Sequence, residues 1–396
     1  MALTLIRDIA AGTAAIASLP GTIELGMLTA ASLLPARRPH RPGQSGQVRL
    51  AVVIPAHNER ESIGRCLDSL LADNSGGDAA IVVVADNCTD ETALIARRRG
   101  AEVIERFSED QRGKGHALEF AFRRLAPRRF DAYVIVDADS VVAPGFLAAF
   151  SVVLSRGADA AQCPYLALNS GEDGRLRLLD LALRGFNLVR PLGRARLGLS
   201  AGILGNGFAL RRTLLERVPY MAHSVVEDLE YHLALVDHGC RVEFVEAALV
   251  RGAMPAAGKG RETQRARWEG GRLRMIREHA SGLARKVLRG RAGALEPLLD
   301  LLLLPLGFHA VLLLAALLGA SAAVRAAGFI GLAILGIHVA AAAGRGSSGW
   351  RDLRAIASVP AYVLWKIAKL PAIFMASTRR AGWVRTERLA TTQEIL

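Results

Sequence analysis

The stretch Tyr133–Asp139 has the sequence YVIVDAD, and it decides the expected fold. Its first four residues are apolar and mostly β-branched, which is typical of a short strand buried on both faces of a parallel sheet. Side chains alternate along a strand, so Asp137 and Asp139 point the same way. Buried carboxylates favour a divalent cation, and ligands of open α/β sheets collect at the carboxyl ends of strands. For this pair alone, capping of the following loop is the alternative.

Strand and helix patterns alternate on both sides of this stretch. Apolar runs predict strands at 48–54, 81–85, 103–104, 133–136, 160–163 and 241–245. Helical patterns lie at 61–71, 92–99, 117–125 and 224–238. Alternation at this spacing predicts an α/β domain with a mostly parallel, doubly wound central sheet.

Composition narrows the classes of protein that fit. The 396 residues are enough for two or three domains, and they are 51% hydrophobic with a net charge of +13. This pairing suits a protein at an anionic surface or one that binds anionic ligands. No nucleic-acid partner is expected, because the basic residues are not interleaved with base-stacking aromatic residues. The four cysteines are scattered, so neither a zinc site nor a disulfide framework is expected.

The N-terminal part contains a candidate membrane helix. Residues 9–34 form an apolar stretch that only Glu24 interrupts, and a basic cluster follows it. The positive-inside rule places the C-terminal end of an inserted helix in the cytoplasm. A helix that lies in the membrane interface is the alternative.

The C-terminal part predicts membrane contact as well. Residues 259–291 carry eleven Lys and Arg against three Glu, which predicts amphipathic helices at the inner leaflet, although a solvated charged helix has a similar composition. Residues 301–324 contain no Asp, Glu, Lys or Arg and are long enough to span a bilayer. Residues 328–343 form a second apolar run of marginal length, so the two runs predict a C-terminal transmembrane hairpin.

Polar residues follow the strands that neighbour the opening stretch. Pro55, Asn58 and Glu59 belong to a turn after the first strand, and Asp86 ends the second. Residues 112–115, Arg-Gly-Lys-Gly, combine backbone freedom with cationic side chains, as a diphosphate-contacting loop would. Each motif alone has an ordinary alternative, which is a strand end, a helix N-cap or a surface turn respectively.

Two acids and a later motif complete the set. Ser224 and Glu227 fit a capping box, which gives Glu227 a structural role at the start of the helix at 224–238. Asp228 has no such role, and near a helix N-terminus it is expected to stay ionised, as a general base must. Residues 264–268, Gln-Arg-Ala-Arg-Trp, form a Q-x-x-R-W motif before the apolar runs.

In this order and spacing, these motifs resemble those of an inverting family 2 glycosyltransferase. The Q-x-x-R-W element resembles the branch of cellulose, chitin, hyaluronan and bacterial exopolysaccharide synthases. The resemblance covers roughly residues 48–270 and implies a GT-A-type nucleotide-sugar-binding fold. It also implies sugar transfer from a nucleotide sugar, expected to be a UDP-sugar, to a glycan or lipid-linked acceptor in exopolysaccharide biosynthesis.

The resemblance implies roles on the donor side. Asp86 would contact the uracil, with the turn that contains Pro55, Asn58 and Glu59 nearby. Asp139 would be the direct ligand of Mg²⁺ or Mn²⁺. Asp137 would lie beside it against the diphosphate, and Lys114 would approach the diphosphate or Asp137.

The resemblance also implies roles on the acceptor side. Asp228 would deprotonate the acceptor hydroxyl, with Glu227 beside it at the substrate. Gln264, Arg267 and Trp268 would contact the acceptor, with Trp268 stacked on a sugar ring and Arg267 offsetting leaving-group charge. Core packing is the alternative for Trp268, and a basic membrane face is the alternative for Arg267.

The chain is accordingly divided into five parts. They are an N-terminal membrane-associated segment and linker (1–47), a GT-A catalytic domain (48–255), basic amphipathic interface helices with the Q-x-x-R-W motif (256–295), the transmembrane hairpin (296–345), and an interfacial segment with a basic tail (346–396). The expected location is the bacterial inner membrane, as a multi-pass protein with its catalytic domain in the cytoplasm.

Alternative functions and partners follow from the same motifs. A non-catalytic scaffold of a polysaccharide export complex and a non-processive lipid glycosyltransferase both stay open, because the membrane part is small and an export partner could supply the channel. A dehydrogenase is excluded, since Gly202, Gly205 and Gly207 lack dinucleotide-binding spacing and the turn after the first strand is not glycine-rich.

Overall fold

The computed structural model divides the chain into two compact units. It describes residues 2–36, 48–168, 174–254 and 259–346, with 352, 354 and 356, and it gives only the backbone at 175 and 259–268. The sheet unit takes its described residues from 48–168, 200–254 and 259–268. The helical unit takes them from 2–36, 174–199 and 269–346, with 352, 354 and 356. Our division into five parts stays a prediction.

Two sheets form the centre of the sheet unit. Their strands within the described residues are β1 (Leu50–Ala56), β2 (Ala79–Asp86), β3 (Glu102–Arg106), β4 (Ala132–Ile135), β5 (Ser140–Val142), β6 (Ala160–Gln162), β7 (Tyr165–Ala167), β8 (Phe208–Arg211), β9 (Val242–Phe244) and β10 (Val250–Gly252). The larger sheet has the order β3-β2-β1-β4-β8-β6-β9, and the smaller one has the order β5-β10-β7. The pairs β3/β2, β2/β1, β1/β4 and β6/β9 are parallel, whereas β8 runs antiparallel to both of its neighbours.

The helices follow the predicted alternation over the first half of the sheet. In chain order they are α1 (Ala2–Ser32), α2 (Ile63–Asp73), α3 (Thr92–Arg98), α4 (Lys114–Leu125), α5 (Phe146–Ser155), α6 (Gly174–Arg184), α7 (Arg190–Leu197), α8 (Arg212–Arg217), α9 (Glu227–Asp237), α10 (Lys259–Leu288), α11 (Leu295–Leu302), α12 (Leu306–Ala316) and α13 (Ala322–Gly344). A π-helical turn, Gly185–Val189, connects α6 to α7.

The central strands are buried on both faces, as their continuous apolar sequences predict. Along β1, Val52 and Ile54 pack in one core with α2 and α5, whereas Ala51 and Val53 pack in the other with α4 and α9. All four side chains are fully buried. Burial of a side chain of valine or isoleucine size contributes about 1.5–3 kcal/mol, so two covered faces make this sheet a rigid platform for its edge residues.

Strand β8 was not predicted, and its direction matters for the site. It has only four residues, too few to show a period of two, and the smaller sheet is made of three-residue strands for which the same holds. In the register between β8 and β4, Phe208 lies opposite Ile135. Because the two strands are antiparallel, the residues before β8 lie beside the carboxyl end of β4.

The helical unit contains the helices that could enter a membrane. By length and composition α1 and α13 could each cross one, with mean hydropathies of 1.4 and 2.0. Large apolar side chains are exposed on both helices, including Ile16 on α1 and Phe329 on α13.

The predicted unbroken run at 301–324 is not one helix. The chain breaks between α11 and α12, which are bent by 85° to each other. Pro305 lies at the break and precedes α12. Proline has no N–H and disfavours helical geometry at the preceding residue, so a helix through this point is interrupted. The second run forms a longer helix than predicted, since α13 has 23 residues.

Helix α1 packs closely within the helical unit. A Cβ atom added at Gly193 on α7 would lie 2.1 Å from the backbone oxygen of Leu28, so only glycine fits there. Thr22 and Thr29 on α1 hydrogen-bond to His309 and His338 at 3.1 and 2.8 Å. These contacts hold α1 in one position along its neighbours.

Glu24, the one charge in the N-terminal apolar stretch, belongs to a buried group of ions. We call this group the six-charge cluster, and its members are Glu24, Arg190, Arg194, Arg272, Glu296 and Asp300. Glu24 Oε1 accepts from Arg190 Nη2 at 2.7 Å and from Arg194 Nη2 at 3.0 Å. Arg194 also pairs with Glu296 and with Asp300, and Arg190 pairs with Asp300. Arg272 Nη2 lies 3.6 Å from Asp300 Oδ2, so three arginines face three carboxylates.

Candidate functional site

The structure brings several predicted residues to the carboxyl edge of the larger sheet. We call this group the acidic edge, and its members are Lys114, Asp137, Asp139, Glu227 and Asp228. Asp137 and Asp139 follow β4, Lys114 is the first residue of α4, and Glu227 and Asp228 are the first two of α9. Lys114 Nζ donates to the Asp137 carboxylate and to the backbone oxygen of Gly205. The predicted proximity of Lys114 to Asp137 is therefore present.

Asn206, which the sequence did not single out, holds the Asp137–Asp139 loop. Its side-chain oxygen accepts from the Asp137 backbone N–H at 3.0 Å, and its Nδ2 donates to Ser140 Oγ at 2.8 Å. Ser140 Oγ donates in turn to Asp139 Oδ1 at 3.2 Å. Asn206 is fully buried, so this chain of hydrogen bonds fixes both aspartates against the sheet.

The glycines at 202–207 shape the wall beside the acids. Gly202, Gly205 and Gly207 all have left-handed backbone angles, with φ of 92°, 82° and 66°. A Cβ atom at Gly205 would lie 3.2 Å from Asp228 Oδ2. The Gln162 side chain accepts from the Leu204 N–H at 2.9 Å. Gly205 therefore allows close approach to Asp228, whereas Gly207 allows close approach to Cys163 and Val250.

The predicted capping box at Ser224 is wrong. Helix α9 begins at Glu227, and Val226 is its N-cap. Ser224 Oγ accepts from the Val226 N–H at 3.3 Å, which is a local turn that delays the helix. The Ser224 N–H donates to Glu230 Oε2 at 2.9 Å, so Glu230 rather than Glu227 reaches back.

Burial changes the acid strength of the two α9 carboxyls. Burial, together with the nearby Asp228 charge, raises the pKa of Glu227 to about 7. Burial also raises the pKa of Asp228, which opposes the expected effect of the helix N-terminus. A carboxylate with a raised pKa holds a proton more tightly, so Asp228 is a stronger base than an exposed aspartate.

Acids outnumber cations around Lys114 among the described side chains of the acidic edge. Burial opposes the charge of Lys114, but Asp137, Glu227 and Asp228 outweigh it, and the pKa of Lys114 is raised. Among the described side chains, this one ammonium group therefore faces three carboxyl groups, those of Asp137, Glu227 and Asp228. Carboxylate oxygens are the ligands that Mg²⁺ and Mn²⁺ prefer, and an excess of negative charge favours their binding. Asp137 and Asp139 would hold such an ion.

Asp86 is placed at the end of β2 but has a partner that the sequence did not indicate. Its Oδ1 accepts from Arg106 Nη1 at 2.6 Å, and both side chains are almost fully buried. Asn87 Nδ2 donates to the same oxygen at 3.1 Å. The His57 ring Nδ1 lies 2.7 Å from the Asp86 backbone oxygen, which connects the turn after β1 to β2.

The turn after β1 is fixed by its own polar side chains. Asn58 has a left-handed φ of 54°, and its Oδ1 accepts from the Thr89 N–H at 2.7 Å. Glu59 Oε2 accepts from Ser62 Oγ at 2.5 Å. Pro55 lies within β1 and is paired with β2. Asn58 and Glu59 therefore shape this turn, and their contact with a substrate stays a prediction.

The acceptor-side prediction falls largely outside the described residues. Gln264, Arg267 and Trp268 lie in α10, but the structure does not describe their side chains. Their roles therefore stay predictions.

Two relatives with known functions match parts of this chain. It is 34% identical over 91 residues to 4,4'-diaponeurosporenoate glycosyltransferase of Staphylococcus aureus, over 23% of this chain and 24% of that protein. It is 31% identical over 184 residues to glucosyl-3-phosphoglycerate synthase of Mycolicibacterium paratuberculosis, over 43% of this chain and 55% of that protein. The chain thus spans about a quarter and about half of their lengths.

A solved structure shares the fold over nearly the whole chain. It is a mannosyltransferase from Pyrobaculum calidifontis in complex with GDP-mannose and Mn²⁺. The TM-score is 0.56 at 19% identity, and the match covers 94% of this chain and 97% of that one. This likeness confirms the predicted α/β GT-A fold with its mostly parallel sheet.

A family model identifies the sheet unit more directly. The family described as "Glycosyltransferase like family 2" matches residues 47–271, which is more than half of the chain. The matched segment contains every described strand of both sheets and all five members of the acidic edge. From this match it follows that the chain belongs to the glycosyltransferase-like family 2.

Proposed function

We propose that this protein transfers a sugar from a nucleoside diphosphate sugar to an acceptor hydroxyl, with Mg²⁺ or Mn²⁺ at Asp137 and Asp139. The observation that carries the proposal is the charge imbalance of the acidic edge. A site that only stabilised the fold would have no reason to gather the three carboxyl groups of Asp137, Glu227 and Asp228 around one lysine, because like charges repel. A cation and a diphosphate together would complete it.

On the donor side, the chain supplies positive charge and two metal-binding carboxylates. A bound divalent ion would neutralise the negative charge that develops on the leaving diphosphate. Lys114 is already oriented toward Asp137 and would add a second positive charge beside the phosphates. We propose Asp86, with Arg106 beside it, as one wall of the pocket for a uracil base.

On the acceptor side, Asp228 would act as the general base. Its raised pKa suits proton transfer from a sugar hydroxyl, because a stronger base accepts the proton more readily. The leaving group needs no protein acid when a metal ion offsets its charge, so one base suffices. A single displacement of this kind inverts the anomeric configuration, with Glu227 contacting the substrate beside the base.

We also propose that the acceptor is a glycan or lipid-linked molecule at the bacterial inner membrane. The exposed apolar side chains of α1 and α13 support membrane binding. One partial relative is named a 4,4'-diaponeurosporenoate glycosyltransferase. Exopolysaccharide biosynthesis, a cytoplasmic catalytic domain, export partners and the branch of the polysaccharide synthases stay part of this proposal. So do the acceptor roles of Gln264, Arg267 and Trp268.

The test is nucleotide release by the purified full-length protein. UDP- and GDP-sugars are supplied with Mg²⁺ or Mn²⁺, and nucleoside diphosphate is measured with and without a membrane extract as acceptor. Asp139→Asn and Asp228→Asn should each lower turnover about 1000-fold, equivalent to a loss of several kcal/mol of transition-state stabilisation. Asp237→Asn, at the exposed end of the same helix as Asp228, is the matched control and should keep full activity.

Calorimetry separates the enzyme from a scaffold. An enzyme should bind UDP with Mg²⁺ in the wild-type chain and lose the metal-dependent part of that binding in Asp139→Asn. A chain that binds no nucleotide under either condition would be a scaffold. Full turnover in Asp228→Asn would contradict the assignment of the base while leaving the donor site intact.

A further inference from the structure

A second group of possible metal ligands lies outside the acidic edge. His116 and Glu119 lie on α4, and His223 lies in the segment before α9. One ligand atom from each of the three side chains lies within 4.8 Å of the other two. His223 Nε2 is 2.8 Å from Glu119 Oε2, and the two imidazole rings are stacked with centroids 3.9 Å apart.

The backbone brings these residues together. Residues three apart on a helix share a face, so His116 and Glu119 point to the same side of α4. A Cβ atom added at Gly115 would lie 2.0 Å from the backbone oxygen of Ala222, so the segment that carries His223 touches α4 directly. Glycine at 115 allows this approach, so His223 is held close to the helix that carries His116 and Glu119.

The protonation state of His116 and the chemical types of the three ligands favour a metal ion of intermediate hardness. Burial, followed by the neighbouring His223, lowers the pKa of His116, so His116 is neutral and able to donate a lone pair at neutral pH. Two imidazoles with one carboxylate suit Zn²⁺, Co²⁺ or Ni²⁺ better than Mg²⁺, which prefers oxygen ligands. All three side chains are partly exposed, so an ion can reach them.

We propose that His116, Glu119 and His223 form a second divalent-metal site, one that takes Zn²⁺-type ions and is separate from the acidic edge. The site joins the helix that begins with Lys114 to the segment that leads into Glu227 and Asp228. An ion held there would tie together the two elements that carry the lysine and the base. Only the cysteines were considered for zinc in the sequence, and the histidines lie 107 residues apart along it.

The test is Co²⁺ and Zn²⁺ binding to the full-length Asp139→Asn protein, in which the proposed donor-site ligand is removed. This protein should bind one Co²⁺ with visible d–d absorption that Zn²⁺ displaces. His223→Ala and Glu119→Gln, each added to Asp139→Asn, should weaken binding at least about 100-fold. His238→Ala is the matched control, because His238 is exposed at the C-terminal end of α9 and should leave binding unchanged.

Thermal unfolding provides a second reading that does not depend on absorption. Zn²⁺ should raise the unfolding temperature of the Asp139→Asn protein and of the His238→Ala control made in the same protein. It should not raise that of the protein that carries both Asp139→Asn and His223→Ala. Equal Co²⁺ binding in the His223→Ala and His238→Ala proteins would overturn the proposal. So would the lack of any bound Co²⁺ in the Asp139→Asn protein, which would identify the group as a His–Glu ion pair with a stacked histidine.

Discussion

The acidic edge of the sheet unit and the six-charge cluster of the helical unit both gather ionised side chains, but they differ in balance. The six-charge cluster pairs three arginines with three carboxylates, and Glu24 and Arg190 in it are fully buried. Among the described side chains of the acidic edge, one lysine faces the three acids Asp137, Glu227 and Asp228, and Lys114 and Asp137 keep 20% and 30% of their side-chain surface exposed. Balanced, buried ions hold a structure together, whereas unbalanced, accessible ions leave charge for a ligand to neutralise.

The largest loss of stability is expected for a substitution in the six-charge cluster. Arg194→Met should destabilise the protein by about 3–5 kcal/mol, because it leaves Glu24, Glu296 and Asp300 facing too little positive charge in a buried site. Thermal unfolding in detergent measures the change. Arg274→Met is the matched control, since its pair with Glu278 is exposed and should be worth less than about 1 kcal/mol.

Restoring the balance tests the reason for that effect. Arg194→Met combined with Glu296→Gln removes one charge of each sign, so two arginines again face two carboxylates. The double variant should recover a clear part of the lost stability. If the destabilisation of the double variant equals the sum of the destabilisations of the two single variants, lost packing rather than unpaired charge explains the effect of Arg194→Met.

The second-largest change in stability is expected at the acidic edge, where a ligand should supply the missing positive charge. Mg²⁺ with UDP at about 100 times the dissociation constant should stabilise the folded protein by about 2.7 kcal/mol, and a chelator should reverse the gain. Calorimetric unfolding with and without the two ligands measures it. Asp139→Asn should lose most of the Mg²⁺-dependent stabilisation. An equal Mg²⁺-dependent stabilisation in the wild type and in Asp139→Asn would place the ion elsewhere.

A smaller, pH-dependent effect is expected at Glu227. Its folded pKa of about 7 lies above its ordinary value of 4.5, so its protonated form is favoured by folding. The resulting stabilisation is complete below about pH 4.5 and is lost as the pH rises through about 7. Without metal, Glu227→Gln should therefore be more stable than the wild type by about 1–2 kcal/mol at about pH 8.5.

The pH dependence of unfolding shows whether the raised pKa of Glu227 causes this difference in stability. The advantage of Glu227→Gln should shrink steadily between about pH 8.5 and about pH 5. Glu216→Gln serves as the control, because Glu216 is exposed and paired with Arg212 on α8, and its effect should not change over this range. A constant advantage for Glu227→Gln would contradict the raised pKa.

The smallest stability change separates two glycines with the same backbone strain. Gly205 and Gly239 both have a left-handed φ, 82° and 69°, so alanine should cost about 1 kcal/mol at either position. Only at Gly205 would the new methyl group meet Asp228, whereas nothing lies within 4 Å at Gly239. Gly205→Ala should lower turnover by about 10-fold or more, and Gly239→Ala should not. Equal turnover in both would remove Gly205 from the site.

The positions of the acids were predictable because Asp86, Asp137 and Asp139 come at or after strand ends, and Glu227 and Asp228 belong to a recognisable helix. The apolar runs before Asp86 and Asp137 identified their strands, and the order of motifs identified the family. Arg106 lies beside Asp86 because β3 pairs with β2. Asn206 and the contact between Gly205 and Asp228 were not predictable. They depend on β8 running antiparallel beside β4, and a four-residue strand carries too little pattern to reveal its partner.

Local rules were less reliable where another side chain could replace the expected one. Ser224 and Glu227 satisfied the spacing of a capping box, yet Glu230 is the residue that bonds Ser224, because the helix begins later than the pattern indicated. The run at 301–324 satisfied the length rule for a membrane span, but Pro305 divides it. Glu24 counted as an interruption of an apolar stretch, and its arginine partners lie far along the chain.

The separation of Glu24 from its arginine partners along the chain determines when α1 can complete its contacts during synthesis. Glu24 is synthesised early, but Arg190 follows 166 residues later and Arg194 follows 170 residues later. Asp300, which pairs with both arginines, emerges later still. Helix α1 therefore cannot complete its packing until the residues around Asp300 have been synthesised. A chain that stops before residue 300 would leave Arg190 and Arg194 without one of their carboxylate partners.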